Sequence, residues 1–158
     1  WKGFWKLGQI KGFEALSDIL TRYLKPSEAD LADPGFRAAH VELSLLVGLA
    51  ATDAVLALDP KVARLQHALH PGTIQYEVGD AIAAVAEVTR EGVRVRRGRA
   101  EAPTTTVRLK DVDFAVEVIA GRVDTFAALG TCDIRILGSL PVADDFNALF
   151  DRVGTYLA

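Results

Sequence analysis

The sequence predicts an α+β protein: a five-stranded, largely antiparallel, twisted sheet covered by helices and preceded by an extra N-terminal helical portion. Three observations predict it. Apolar residues recur at helical spacing as far as about His70, the pattern changes to two-residue alternation after "HPGT", and carboxylates, prolines and glycines punctuate the segments where caps and turns need them. The change of period divides the chain into a helical extension, residues 1–71, packed on a body formed by residues 72–158.

Size and charge narrow the classes. At 158 residues and 17.0 kDa the chain is long enough for one hydrophobic core. Half of the residues are apolar, and 18 Lys+Arg against 21 Asp+Glu leave a formal charge of -3, an ordinary soluble balance not built around a polyanion. The single cysteine forms no intramolecular disulfide, so nothing requires an oxidising compartment, and the chain reads as cytoplasmic.

The elements follow in order. Trp1, Phe4 and Trp5, interleaved with Lys2 and Lys6, have the composition of an interfacial anchor; the same residues serve equally as a hydrophobic flap, and packing or a partner contact is favoured over transient contact with a membrane surface. Phe13, Leu16, Leu20, Tyr23 and Leu24 form the apolar side of an amphipathic helix ending before Pro26. Asp33-Pro34 and Asp59-Pro60 each place a capping carboxylate before a helix-starting proline, which predicts helices over about 34–58 and 60–69. The stretch Val41 to Asp59 approaches a membrane span in length, but Glu42 and Asp53 interrupt it, so a buried or partner-covered helix fits better. These two acids are three turns apart and share a face.

Alternation then takes over. Ile74, Tyr76 and Val78 share one strand face; Ile82, Ala84, Ala86 and Val88 share the next; Val93 and Val95 alternate with Arg94 and Arg96, and Thr105, Val107 and Leu109 follow. Asp111 caps a helix to about Ala120, with Gly121 in the left-handed conformation that ends it. Asp124 caps a short helix that stops at Gly130. Cys132, Ile134 and Ile136 are expected on the inward face of a fifth strand that Gly138 ends, with Cys132 a buried small hydrophobe. Pro141 begins a last helix in which Val142, Phe146, Leu149, Phe150, Val153 and Leu157 recur at intervals of three and four.

Little in the chain announces catalysis. There is no phosphate loop, no dinucleotide fingerprint, no serine elbow and no H-E-x-x-H. His67 and His70 supply two ligands where a metal needs three or four, so no metal is expected and no cofactor is implied. The acids at Asp111, Asp113, Asp144 and Asp145 read as helix-start residues. Arginines gather at Arg90, Arg94, Arg96, Arg97 and Arg99; a solvated strand face is the first reading, with Arg94 and Arg96 as head-group contacts the second, while nucleic acid is disfavoured by the acidic balance and the lack of any nucleic-acid motif. Arg97 breaks the alternation, which marks a bulge or a strand end.

The run "TTTVRLKDVDFAVEVIAGRVDTFAALGTCDIRILGSLPVADDFNALF", with glycines at 121, 130 and 138, Asp124, and the strand pair Ile134 and Ile136, resembles the sterol-carrier-type lipid-binding domain from about Gly72 to Leu157. The resemblance implies an apolar tunnel between sheet and helices that takes a sterol, fatty acyl, acyl-CoA or prenyl-type lipid. Its ligand-facing positions would be Phe114, Val118, Phe126, Leu129, Ile134, Ile136, Phe146 and Phe150. Without it, the same residues serve simply as core. The long N-terminal helical portion departs from the family's pattern, as a tunnel block, a dimer contact or the mark of an accessory protein. The expected function is therefore non-enzymatic, non-covalent binding of a hydrophobic ligand, as carrier or accessory factor. The alternatives are an interaction module with a filled core, dimerising or binding a partner through its N-terminal helices, and a small enzyme with a dispersed active site.

Overall fold

The computed structural model describes residues 16–62 and 69–157. The readings for Trp1, Lys2, Phe4, Trp5, Lys6, Phe13 and His67 lie outside the described residues. Residues 16–24 are helical (α1), followed by α2 (Glu28–Leu31) and α3 (Pro34–Leu58). Ser27 and Asp30 form a reciprocal capping box on α2, and Asp33 caps α3 through the Gly35 amide, with Pro34 at the first helical position. The predicted bounds of α3 hold. Of the helix predicted over 60–69, residues 60–62 form a turn and 63–68 lie outside the described residues.

Five strands follow the helical segment: β1 (Gly72–Val78), β2 (Ile82–Val88), β3 (Val93–Arg97), β4 (Thr105–Leu109) and β5 (Ile134–Gly138). They form one sheet in the order β3-β2-β1-β4-β5. The sheet is mixed: all neighbours are antiparallel except β1 and β4, which run parallel, Ile74 beside Thr105 and Val78 beside Leu109. Parallel neighbours need a crossover connection. The segment 98–104 makes it, passing beneath β2 and β1 on the face away from the helices. There Gly98 donates to the Ala83 carbonyl (2.8 Å), Ala100 to the Gln75 side chain (2.7 Å) and Thr104 to the Thr73 carbonyl (2.8 Å).

Glu77 anchors this crossing. Its carboxylate is buried under the sheet, accepts from Arg99 Nε (3.0 Å), Arg108 Nε (2.6 Å) and Gln75 Nε2 (2.7 Å), and Arg99 also reaches the Asp80 carbonyl (3.0 Å). Each hydrogen bond offsets part of what burying a carboxylate costs.

The other face carries the helices. Helix α4 (Val112–Ile119) is capped by Asp111, α5 (Thr125–Gly130) by Asp124, and α6 (Leu140–Leu157) closes the chain. By length and composition α3 could cross a membrane. Here it packs along the β3 edge and against α6 and α4. Its shared acidic face meets β3: Glu42 pairs with Arg97 (Nη2 to Oε2, 2.7 Å), and Asp53 accepts from the Val93 amide (2.8 Å) at a turn where any side chain on Gly92 would collide with the Asp53 carboxylate. Arg97 is thus the last residue of β3, turned towards α3. Asp59, buried just beyond α3, accepts from Arg152 (2.6 Å) and the Tyr156 hydroxyl (2.9 Å) and ties α3 to α6. At the other end Tyr23 stacks on Phe36 at 4.6 Å and its carbonyl accepts from His40 Nδ1 (2.6 Å), which fixes α1 on α3.

One sequence expectation is overturned here. Cys132 is exposed rather than inward-facing, with φ of 63°. The chain leaves α5 through Thr131 and must reverse at once to enter β5, so the left-handed position falls on Cys132 and alternation begins only at Ile134.

Hydrogen bonds from Arg99 and Arg108 outweigh burial and hold the Glu77 carboxyl below the ordinary glutamate range. A carboxyl depressed in the folded state contributes stability that is present above its unfolded pKa of about 4.5 and is lost as pH falls through the folded value. Glu77→Gln should therefore lower Tm at neutral pH, by the equivalent of about 2 kcal/mol, and flatten the acid limb of a Tm-against-pH series. An unchanged acid limb would show that Glu77 does not link the crossover to protonation.

Candidate functional site

Three rows of inward-facing side chains run across β2, β1 and β4 and differ in how well the helices cover them, while a fourth, Val93, Val88 and Gly72, ends at β1. In one outer row Ala86, Ile74 and Thr105 are all buried. Helix α6 lies over this end, its Val142 side chain so close to Gly72 that a Cβ there would be crowded. In the other outer row Ile82, Val78 and Ile134 are buried and Leu109 is half-buried. Helix α4 covers this end, Ala115 and Val116 packing with Val41 of α3. The middle row runs Arg97, Ala84, Tyr76, Val107, Ile136. Ala84 is buried, but Tyr76, Val107 and Ile136 remain half-buried although Tyr76 and Val107 sit on the two central strands of that stretch.

The middle row is therefore the floor of a groove between the α6 end and the α4–α5 end. Tyr76, Phe146 and Phe150 form its aromatic side, with ring centroids 6.3 to 6.4 Å apart. Gly48 of α3 admits the Phe150 ring, whose edge lies 3.0 Å from where a Cβ would stand. Leu45 of α3 touches both buried clusters and forms the back wall.

The residues predicted to face a ligand fall into three groups. Phe146 and Ile134 are buried, and Phe150 and Ile136 are half-buried at the groove. Phe114 and Val118 lie one turn apart and half-buried on a flank of α4 other than the one whose Asp113 meets Arg37 of α3 (3.2 Å). Lys110 stands over the Phe114 ring (5.2 Å) and pairs with Asp133 at the start of β5 (3.0 Å). Phe126 and Leu129 of α5 are exposed, Phe126 by 85%, because Ala128 takes the buried side of that short helix. Arg94 and Arg96 stand on the opposite sheet face, where Arg96 meets Glu87 (3.4 Å) and the Arg99 carbonyl (3.1 Å). The sheet separates both from the aromatic cluster.

Tyr76 and Val107 were read in the sequence only as strand residues; nothing local marks them as part of a groove. The Tyr76 hydroxyl makes no hydrogen bond among the described residues. Burial pushes its pKa well up, and the Asp151 carboxylate adds to the shift. A separate depression of about 270 Å³ at the β2–β3 edge is lined by Glu42, Ala81, Ala83, Arg97, Gly98 and Arg99. Its charges are already matched, Arg97 by Glu42 and Arg99 by Glu77. Among the described residues no cluster of three or more His, Cys, Asp or Glu could hold a metal.

The two phenylalanines at the extremes should separate in stability. Phe146→Ala should cost about 3–5 kcal/mol, whereas Phe126→Ser should leave the chemical-denaturation midpoint nearly unchanged. Equal losses would mean that Phe126 packs against something in solution.

No protein-family model and no curated protein matches the chain. Solved structures do. A UbiJ-SCP2 ubiquinone synthesis protein superposes with a TM-score of 0.53 at 17% identity, over 70% of this chain and 92% of that one. Sterol carrier protein 2 from Yarrowia lipolytica gives 0.52 at 9% identity, over 71% and 91%. The sterol carrier protein domain 2 of Helicoverpa armigera gives 0.51 at 16% identity, over 68% and 85%. With the strand order, the parallel β1–β4 pair and helices on one face, these superpositions identify the fold of the chain as that of the sterol carrier protein 2 domains.

Proposed function

We propose that the protein binds a lipid-like hydrophobic ligand non-covalently in the groove over Tyr76, Val107 and Ile136, as a carrier or accessory factor in the cytoplasm and without a catalytic step. One observation carries this reading: the middle row of the covered face is left half-buried while the outer rows are largely buried. A face with helices over it normally buries its central positions most completely. Apolar area left uncovered there is worth about 25 cal/mol per Å² to a ligand that removes it from water. The fold neighbours named for sterol carriage and for ubiquinone synthesis support a sterol or prenyl-type lipid as the class.

Native mass spectrometry of the purified chain, before and after exposure to a panel of sterols, acyl lipids and prenyl alcohols, tests it. The wild type should retain one lipid per chain, and Ile136→Trp, which fills the groove, should lose it while keeping its circular dichroism spectrum. A mass free of lipid throughout would overturn the proposal.

A second reading rests on α1, where Leu16, Ile19 and Leu20 form an exposed apolar stripe (54%, 55% and 37%) at helical spacing. It supports contact with a second copy or a protein partner through the N-terminal helices. Light scattering should then give a mass above that of a monomer, reduced to monomer by Leu16→Ser with Ile19→Ser; a monomeric wild type would remove the second-copy form of this reading.

A further inference from the structure

The two edges of the sheet are treated differently. The β3 edge lies against α3, which holds it through the Glu42–Arg97 pair and the bond from the Val93 amide to Asp53. At β5 no strand among the described residues pairs with the far side. The register of β4 with β5 fixes which groups are left there. Lys110 donates to the Asp133 carbonyl (3.0 Å) and Ser139 to the Thr104 carbonyl (3.1 Å), so Asp133, Arg135, Leu137 and Ser139 turn their backbone groups to β4. Ile134, Ile136 and Gly138 turn theirs away, and these amides and carbonyls bond to no other described residue.

An open edge of this kind is a template for another strand unless a proline, a bulge or a covering segment blunts it. The segment Ile134–Gly138 has no proline, its ladder with β4 is unbroken, and its one charge, Arg135, points to the face away from the helices. Exposed apolar side chains gather around it: Phe126 and Leu129 on α5, which packs on β5, then Leu137 and Leu140.

A second copy of the chain fits this edge, because the edge is self-complementary. Outward-turned groups of two antiparallel β5 strands can meet about a two-fold axis at Arg135, Ile136 or Leu137. The axis at Arg135 sets that arginine against its own counterpart, a like-charge contact. The axis at Leu137 carries Ile134 past the end of the partner strand. The axis at Ile136 pairs the whole strand: Ile136 with its counterpart, Ile134 with the partner's Gly138, and Arg135 beside the partner's exposed Leu137, which covers the arginine stem without a second charge. We infer that two copies pair edge to edge through β5 in this register, joining their sheets into one. The pairing is separate from the groove reading and from contact through α1.

The test is sedimentation velocity of the full chain over a concentration series, with residue-resolved amide hydrogen exchange. The wild type should dimerise. As it does, the Ile134 and Ile136 amides should become protected, while those of Arg135 and Leu137, already turned to β4, stay protected throughout. Leu137→Lys sets two like-charge contacts against Arg135 and should weaken the dimer about tenfold, whereas Leu137→Glu sets two opposite-charge contacts and should leave it nearly unchanged. Arg135→Glu combined with Leu137→Lys should restore it. Both side chains are exposed, so the fold is retained, as circular dichroism checks. The chain carrying Leu16→Ser and Ile19→Ser should still dimerise. A monomer at every concentration would overturn the inference, as would equal weakening by lysine and glutamate, Ile134 and Ile136 amides left unprotected in the dimer, or a dimer lost with Leu16 and Ile19.

Discussion

The arrangement depends on the parallel pairing of β1 with β4. Every other pair in the sheet is antiparallel. Placing β4 beside β1 rather than beside β3 forces the chain to travel under two strands, and that passage has a physical cost: it covers Gln75, Ala83 and Val85 and takes the Glu77 carboxylate out of water. The carboxylate and the crossing are matched to each other. Arg99 comes from the crossover and Arg108 from β4, so the charge that the crossover buries is bound by the segments that the crossover positions. The crossing also leaves the opposite sheet face to the helices alone, with no loop from this connection competing for it.

With β4 next to β1, the middle row of the helical face becomes Tyr76, Val107, Ile136, contributed by three strands far apart in sequence. The helices reach the face from its two ends. Helix α6 enters over Gly72 and leaves towards Asp59, while α4 is held against α3 by Val116, Ala115 and the Arg37–Asp113 pair. Between them Tyr76, Val107 and Ile136 stay half-buried. The groove is thus a product of topology and helix anchoring together, and α3 serves both ends by gripping β3 through Glu42 and Asp53 and α6 through Asp59.

What the sequence made legible was local. Asp33-Pro34 and Asp59 delimit α3, Asp111 with Gly121 and Asp124 delimit α4 and α5, and each strand announces itself by alternation. The common face of Glu42 and Asp53 was also legible, since it follows from helix geometry. The partner β3 was not, because pairing between an edge strand and a helix fifty or so residues away has no signature in either. The same holds for the parallel β1–β4 neighbours and for the middle row they create. Cys132 shows the limit from another side: alternation extends naturally through Cys132, Ile134 and Ile136, but the reversal between α5 and β5 needs one left-handed residue, and no glycine lies between Thr131 and Ile134 to take it. Arg94 and Arg96 were placed correctly on the outer side of their strand, yet which sheet face a groove occupies is decided by the helices.

A half-buried row in the middle of a covered face is a stability deficit that a filled core would not carry. Closing it would need only a larger residue at Val107 or Ile136, or a helix α6 shifted over the row, and either change would add buried apolar area. Gly48 makes room for Phe150, whose ring stacks against Tyr76. A ligand that binds the folded chain and not the unfolded one recovers the deficit, since its binding free energy adds to that of folding. On this account occupancy and stability are linked, and they meet at Tyr76, whose half-buried ring belongs both to the aromatic cluster and to the middle row.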